Sequence, residues 1–181
     1  MEQQIKIMAV SGSLRSSSST TRVLEALQAR LEQYGSYFLF KGLAAIPPFD
    51  DANETPIEVT VWRQHLQEAD AVLICSPEYA FGIPGALKNA IDWTVASGEL
   101  VNKPLALITA ATSGEKAHAA WLDVFNALSA NITPERSVLI SHVRAKIDGK
   151  GNITDPPAAE AIKILIDSLV TSASSSVTAG N

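Results

Sequence analysis

Three short runs of nearly continuous apolar residues, Ile5–Val10, Ala71–Cys75 and Pro104–Ala110, are each bounded by polar or turn-forming residues. Runs of this length without alternation suit strands of a parallel sheet, where both faces meet apolar cover. Tyr37–Phe40 and Ser137–Val143 supply two further strands, the second interrupted by Ser141 and His142 as an edge strand can be.

Helical spacing fills the intervals between these runs. Val23, Leu24, Leu27 and Leu31 form one stripe, and Trp121, Val124, Phe125 and Leu128 recur at i, i+3, i+4 and i+7. Thr55-Pro56-Ile57-Glu58 reads as a capping box with proline in the first turn, which predicts a helix from there to about Ala69. Another helix is predicted from near Pro84, carrying Leu87, Ala90 and Ile91 inward. In the last helix Ile162, Leu165, Ile166, Leu169 and Val170 share a face. Asp155 is its N-cap and Pro156 its first residue, where the missing N–H of proline removes no helical bond.

Five strand-then-helix alternations specify an α/β sheet with helices on both faces, and right-handed crossovers leave few topologies. Asp148-Gly149-Lys150-Gly151-Asn152 reads as a turn before the last helix rather than a domain boundary. The Ser/Ala/Thr-rich end has little to bury. One domain is therefore expected over 1–172, with 173–181 a disordered tail.

A chain of 181 residues, 46% of them hydrophobic, can fill a single core. A net charge of -5 without any Lys/Arg run lacks the electrostatic footprint of a nucleic-acid binder. No apolar segment approaches the ~20 residues a bilayer requires, and Met1-Glu2-Gln3-Gln4 has no basic start of a secretory signal. A soluble, cytoplasmic protein with no membrane partner is expected. Cys75 is the sole cysteine, so no disulfide forms within one chain, and in its apolar strand it reads as a buried, inert thiol. His65, His118 and His142 lie on separate elements without ligand spacing, and no metal residue is nominated.

The chemistry begins where the first strand ends, at Ser11-Gly12-Ser13-Leu14-Arg15-Ser16-Ser17-Ser18-Ser19-Thr20. A strand, a hydroxyl-rich loop and a helix start together place N–H and O–H donors around a concavity at a positive helix end. Arg15 adds a fork of donors suited to a dianion. Gly12 is the loop's only glycine, which excludes the three-glycine dinucleotide fingerprint, and there is no Gly-Lys-Ser/Thr of a P-loop. A single phosphate monoester, such as that of FMN, suits this loop; so does the simpler reading of a solvated serine-rich helix cap.

A second unusual stretch, Ser76 to Trp93, follows the third strand. In a doubly wound sheet of order 2-1-3-4-5, strands one and three are neighbours and their loops share one crevice, the place where flavodoxin holds FMN. Gly12-Ser13-Leu14-Arg15 with Ser18, Pro77-Glu78-Tyr79, and Pro84-Gly85-Ala86-Leu87-Lys88-Asn89-Ala90-Ile91-Asp92-Trp93 together resemble the NADPH-dependent FMN reductase family of flavodoxin-like proteins. The likeness in element order extends from about Ile5 to Val170. It implies a flavodoxin-like five-stranded parallel sheet, bound FMN and reduction by NADPH or NADH. It also implies onward reduction of a small acceptor: a quinone, an azo compound, a metal oxyanion such as chromate, or free flavin.

The resemblance assigns the flavin phosphate to Ser13, Arg15, Ser18 and Thr20, with Ser11 and Ser19 as further donors of the same loop. Thr20 stands where family members often carry asparagine. Pro77, Glu78, Tyr79, Ala80 and Phe81 are assigned to the ring, with Ala80 and Gly82 in place of the family's usual asparagine and serine. In the loop after the fourth strand, where the family commonly has a glycine pair, only Gly114 is present; Thr112, Ser113 and Gly114 are the corresponding candidates. The family also implies a homodimer or homotetramer.

Hydride transfer between nicotinamide C4 and flavin N5 needs no protein acid or base, so no catalytic side chain is nominated. Trp93 and Trp121 lie on helix faces and read as packing residues, and Asp92 as a helix-end charge. The Cys-x5-Arg pattern of small tyrosine phosphatases is absent around Cys75, and Val10-Ser11-Gly12 lacks the acidic residues of a receiver domain. Two alternatives remain: an FMN-binding electron carrier that does not accept hydride from NAD(P)H, and a non-enzymatic module that has lost flavin affinity through Ala80, Gly82 and the altered loop after the fourth strand.

Overall fold

The computed structural model describes residues 4–50 and 54–179. Five strands, β1 (Ile5–Ser11), β2 (Gly35–Phe40), β3 (Ala71–Ser76), β4 (Leu105–Ala110) and β5 (Ser137–Ile140), form one parallel sheet in the order β2-β1-β3-β4-β5. The helices are α1 (Ser19–Leu31), α2 (Ile57–Glu68), α3 (Gly85–Asp92), α4 (Glu115–Ala127), α5 (Val143–Lys146) and α6 (Pro156–Ala179). The α/β order and the flavodoxin-like sheet agree with the sequence reading.

Alternate residues of the buried strands face two separate apolar layers. Ile5, Ile7 and Ala9 of β1, with Leu73 and Ile108, meet α1 and α6; Met8, Val10, Val72, Ile74 and Leu107 meet α2, α3 and α4. This double cover is why the strand runs contain so few polar positions. Trp62, fully buried, donates its indole N–H to the Ala90 carbonyl and so ties α2 to α3. Asp155 does cap α6, its carboxylate accepting from the Ala158 N–H at 3.1 Å.

Three expectations are corrected. The helix at Thr55 has no capping box: Pro56 itself is the N-cap, in extended conformation, which moves Glu58 one position too early to reach back to Thr55. The fifth strand stops at Ile140 rather than Val143, because His142 adopts a left-handed conformation (φ 55°) and turns the chain into α5. The expected tail at 173–181 is helical to Ala179. Ala173 is buried, and the Ser175, Ser176 and Thr178 hydroxyls turn back onto carbonyls four residues earlier. A short polar segment continues a helix when its first turns are anchored by packing. Gly180 and Asn181, like residues 1–3, lie outside the described residues.

Candidate functional site

The carboxyl ends of β1, β3 and β4 open onto one cleft of about 200 Å³, closed on its far side by α5. Ser13, Arg15, Ser18, Ser19 and Thr20 line it from the first loop. Pro77, Glu78, Tyr79 and Thr112 line it from the loops after β3 and β4. Nine of the sequence candidates are thus brought together by the crossing point of the sheet.

Close approach of the first two loops depends on Gly12. Its N–H donates to the Cys75 carbonyl at 2.8 Å, and a Cβ there would stand 3.1 Å from both Pro77 Cδ and Ser76 Oγ. The hydroxyls that follow are mostly wired to one another. Ser11 Oγ lies 2.9 Å from Thr20 Oγ1, which lies 2.9 Å from Ser18 Oγ, and Ser18 Oγ accepts from the Thr21 N–H at 3.1 Å as the N-cap of α1. Ser11, Ser18 and Thr20 are buried within this network. The capping role read as one alternative for the serine-rich loop therefore falls to Ser18. Ser13 faces the second loop, with Oγ 3.0 Å from the Tyr79 hydroxyl. Arg15 is exposed, and no carboxylate pairs with it among the described residues.

In the second loop Tyr79 and Gly82 exchange backbone hydrogen bonds of 3.0 and 2.9 Å around Ala80 and Phe81, both left-handed at φ 49° and 61°. Asn-Gly is the favoured pair for such a turn, and each non-glycine residue there costs about 1–2 kcal/mol. Phe81 is 67% exposed, with the Lys116 ammonium 4.7 Å from its ring centroid. Neither Ala80 nor Phe81 lines the cleft; they form the turn next to its lining residue Tyr79.

Glu78 joins the second loop to the third. Its carboxylate accepts from the Gly114 N–H at 3.0 Å and the Ala117 N–H at 3.3 Å, supplying the start of α4 with the cap that Gly114 cannot give. Gly114 sits at φ 100°, and a Cβ would meet Leu139 Cδ1 at 2.7 Å. Ser113 points its carbonyl to the Ser141 hydroxyl at 2.8 Å, outside the cleft. Ser11 lines a neighbouring depression rather than this one.

Arg144, which sequence reasoning missed, lines the cleft from α5 and is exposed without an ion-pair partner among the described residues. It arrives there because the His142 and Val143 N–H groups donate to the Thr112 and Ala111 carbonyls at 3.0 and 3.1 Å. No local pattern marks it, since the bonds that place α5 span thirty residues.

The titratable groups behind the cleft are inert. Burial pushes the Cys75 thiol far up, so it is not a thiolate nucleophile. His118 bridges Thr109 Oγ1 (2.8 Å) and Ser137 Oγ (2.9 Å), and desolvation lowers its pKa, favouring the neutral ring. Trp93 and Trp121 are buried packing residues, and Asp92 pairs with Lys88 on α3. Among the described residues no cluster of His, Cys, Asp or Glu could hold a metal. What remains is a cleft with two guanidiniums that have no ion-pair partner among the described residues, hydroxyl and N–H donors, and one carboxylate committed to backbone: a receptor for an anion attached to a larger group.

A family profile described as NADPH-dependent FMN reductase matches residues 5–145. The chain is 31% identical over 179 residues to an NAD(P)H-dependent FMN reductase of Pseudomonas aeruginosa, covering 93% of this chain and 95% of that protein. It is also 31% identical over 178 residues to an NADPH:quinone oxidoreductase of Arabidopsis thaliana, covering 91% and 90% respectively. Among solved structures it resembles an NAD(P)H:(acceptor) oxidoreductase of Paracoccus denitrificans. That match has a TM-score of 0.81 and 23% identity, over 93% of this chain and 97% of that one.

Proposed function

Because the chain belongs to the NADPH-dependent FMN reductase family, we propose that it carries hydride from NAD(P)H through FMN to a small acceptor such as a quinone, an azo compound, a metal oxyanion or free flavin. The observation that carries this reading is the cleft itself, where Arg15 of the hydroxyl-rich loop and Arg144 of α5 have no ion-pair partner among the described residues. The residues present fit FMN. Two guanidiniums match a phosphate dianion, Ser13 and Ser19 add donors, and the absence of a Cβ at Gly12 lets the loops close around the group.

When bound, FMN supplies the redox chemistry, its N5 exchanging hydride with nicotinamide C4. The chain's own part is to hold and orient. Arg15 and Arg144 would neutralise the phosphate, while Ser18 and Thr20 fix the loop from beneath. Pro77 and Tyr79 would border the ring, with Thr112 at its other edge and the Ala80-Phe81 turn and Gly114 shaping the loops behind them. Glu78 acts by holding the second and third loops in register. At about 200 Å³, below the ~300–1,000 Å³ of an enclosing ligand site, the cleft would cover only part of a flavin and leave the rest of it for an acceptor to approach.

Anaerobic stopped-flow mixing of FMN-loaded protein with NADPH tests this. Rapid loss of the oxidised flavin's visible absorbance, restored by adding a quinone, is the expected result. Bound FMN that NADPH does not bleach would move the protein to the electron-carrier alternative, which its similarity to reductases does not favour.

Among the described residues no helix is long and apolar enough to cross a membrane. A cytoplasmic location and a homodimer or homotetramer complete the proposal. The exposed Tyr79 and Phe81 beside the cleft are aromatic surface that a second copy would cover. Light scattering at micromolar concentration should give a mass of two or four chains; a monomer would overturn the assembly.

A further inference from the structure

A second cleft, of about 360 Å³, continues from the first. The two share Arg15, Ser18, Ser19 and Arg144, and the second adds Ser17, Arg22, Ile147, Asp148 and Gly149. The boundary between them is therefore the group of residues proposed above to surround the flavin phosphate. A cofactor ending in a monoester would stop at that boundary and leave the larger cleft without a ligand.

The charge of the second cleft is also more than one monoester requires. Three arginines, Arg15, Arg22 and Arg144, converge on it in a chain of net charge -5. None of the three is in an ion pair among the described residues. Arg22 donates one Nη2 bond, 2.9 Å, to the Ser17 carbonyl, which turns its guanidinium along the loop and leaves its other donors available. The one carboxylate lining this cleft, Asp148, accepts from the Lys150 and Asn152 N–H groups and from Asn152 Nδ2, so its oxygens are engaged within its own turn. Ile147, partly buried against the core, adds apolar lining on which the edge of a base could rest.

We propose that the second cleft receives the adenylate half of a flavin dinucleotide, whose first phosphate occupies the place assigned to the FMN phosphate and whose second is held by Arg22 and Arg144. This rests on the flavin reading of the first cleft. The chemistry recognised is a diphosphate carrying an adenosine, and two sources offer it, FAD and the nicotinamide dinucleotide. Continuity decides for FAD: in that molecule the second phosphate follows the first without a break, as the second cleft follows the first. The protein then accepts either FMN or FAD, the longer flavin gaining contacts rather than meeting a wall.

Titration of apoprotein with FMN and with FAD, read by quenching of flavin fluorescence, tests the proposal without turnover. FAD should bind within about fivefold of FMN, or more tightly. Arg22→Ala should weaken FAD about tenfold, the size of one lost arginine–phosphate contact, while FMN is held as in the wild type. Arg22→Lys, which keeps the charge, should recover part of the loss. FMN binding with FAD at least a hundredfold weaker would overturn the second cleft and leave the function standing, as would an equal loss of both flavins in Arg22→Ala. A raised KM for NADPH in Arg22→Ala with FAD affinity unchanged would overturn it in favour of the reductant's adenosine. Failure of both flavins to bind the wild type would overturn this proposal together with the reading beneath it.

Discussion

FMN should bind an Arg15→Ala variant roughly 10- to 150-fold more weakly than it binds the wild type, a loss of about 1.5–3 kcal/mol. The argument starts from what Arg15 lacks. It is exposed and makes no ion pair among the described residues, so removing it from the free protein leaves no buried group without a partner. The melting temperature of the apoprotein should accordingly stay where it is, with the whole effect appearing when flavin is added. Because the contact is between charges at the surface, the difference between variant and wild type should shrink as salt rises. Arg15→Lys should fall between the two, since a point charge remains but the fork of donors does not. Calorimetric titration of both variants at low and high salt checks each step. An unchanged affinity would take the phosphate away from Arg15 and assign it to Arg144.

The place of Arg15 at the cleft was legible from sequence and that of Arg144 was not, and the contrast has a physical cause. Arg15 sits in a loop whose composition already signals an anion site, between a recognisable strand and a recognisable helix. Arg144 follows Ser141 and His142 in a segment with enough β-branched residues to pass for the end of a strand. What turns that segment is the left-handed His142 and two backbone bonds to Ala111 and Thr112, none of which leaves a mark in local periodicity.

The sheet order was legible for the opposite reason. Double cover by helices forces near-continuous apolar runs in β1, β3 and β4, and such runs have few competing explanations. Glu78 was found, but its geometry was not. Sequence placed it along a flavin ring, whereas its carboxylate caps α4 across the cleft, a contact between residues 36 and 39 positions apart. The turn at Ala80-Phe81 was hidden because neither residue favours the left-handed conformation it adopts. The hydrogen bonds between Tyr79 and Gly82 and the packing of Phe81 against Lys116 hold it there.

The same coupling of core to loop makes Trp121 the position where substitution should cost most stability. Trp121 is fully buried, stacks on Phe125 with ring centroids 5.2 Å apart and planes 8° from parallel, and donates its indole N–H to Ser76 Oγ at 2.8 Å. Trp121→Ala empties a large volume between α4 and the sheet and should cost about 3–5 kcal/mol. That is a large part of the ~5–15 kcal/mol by which a domain of this kind is stable, so the urea midpoint should fall steeply. Trp121→Phe separates packing from the hydrogen bond. It refills most of the volume but removes the donor to Ser76, whose own hydroxyl bonds the Pro77 carbonyl at 3.0 Å just where the second loop leaves β3. Its stability loss should be smaller, about 1–3 kcal/mol for the lost indole hydrogen bond and the imperfect fill. If the Trp121–Ser76–Pro77 chain is what steadies the second loop, Trp121→Phe should also weaken FMN severalfold while the fold survives. Equal FMN affinity in wild type and Trp121→Phe would confine Trp121 to the core and leave the loop to be held by Gly12 and Glu78.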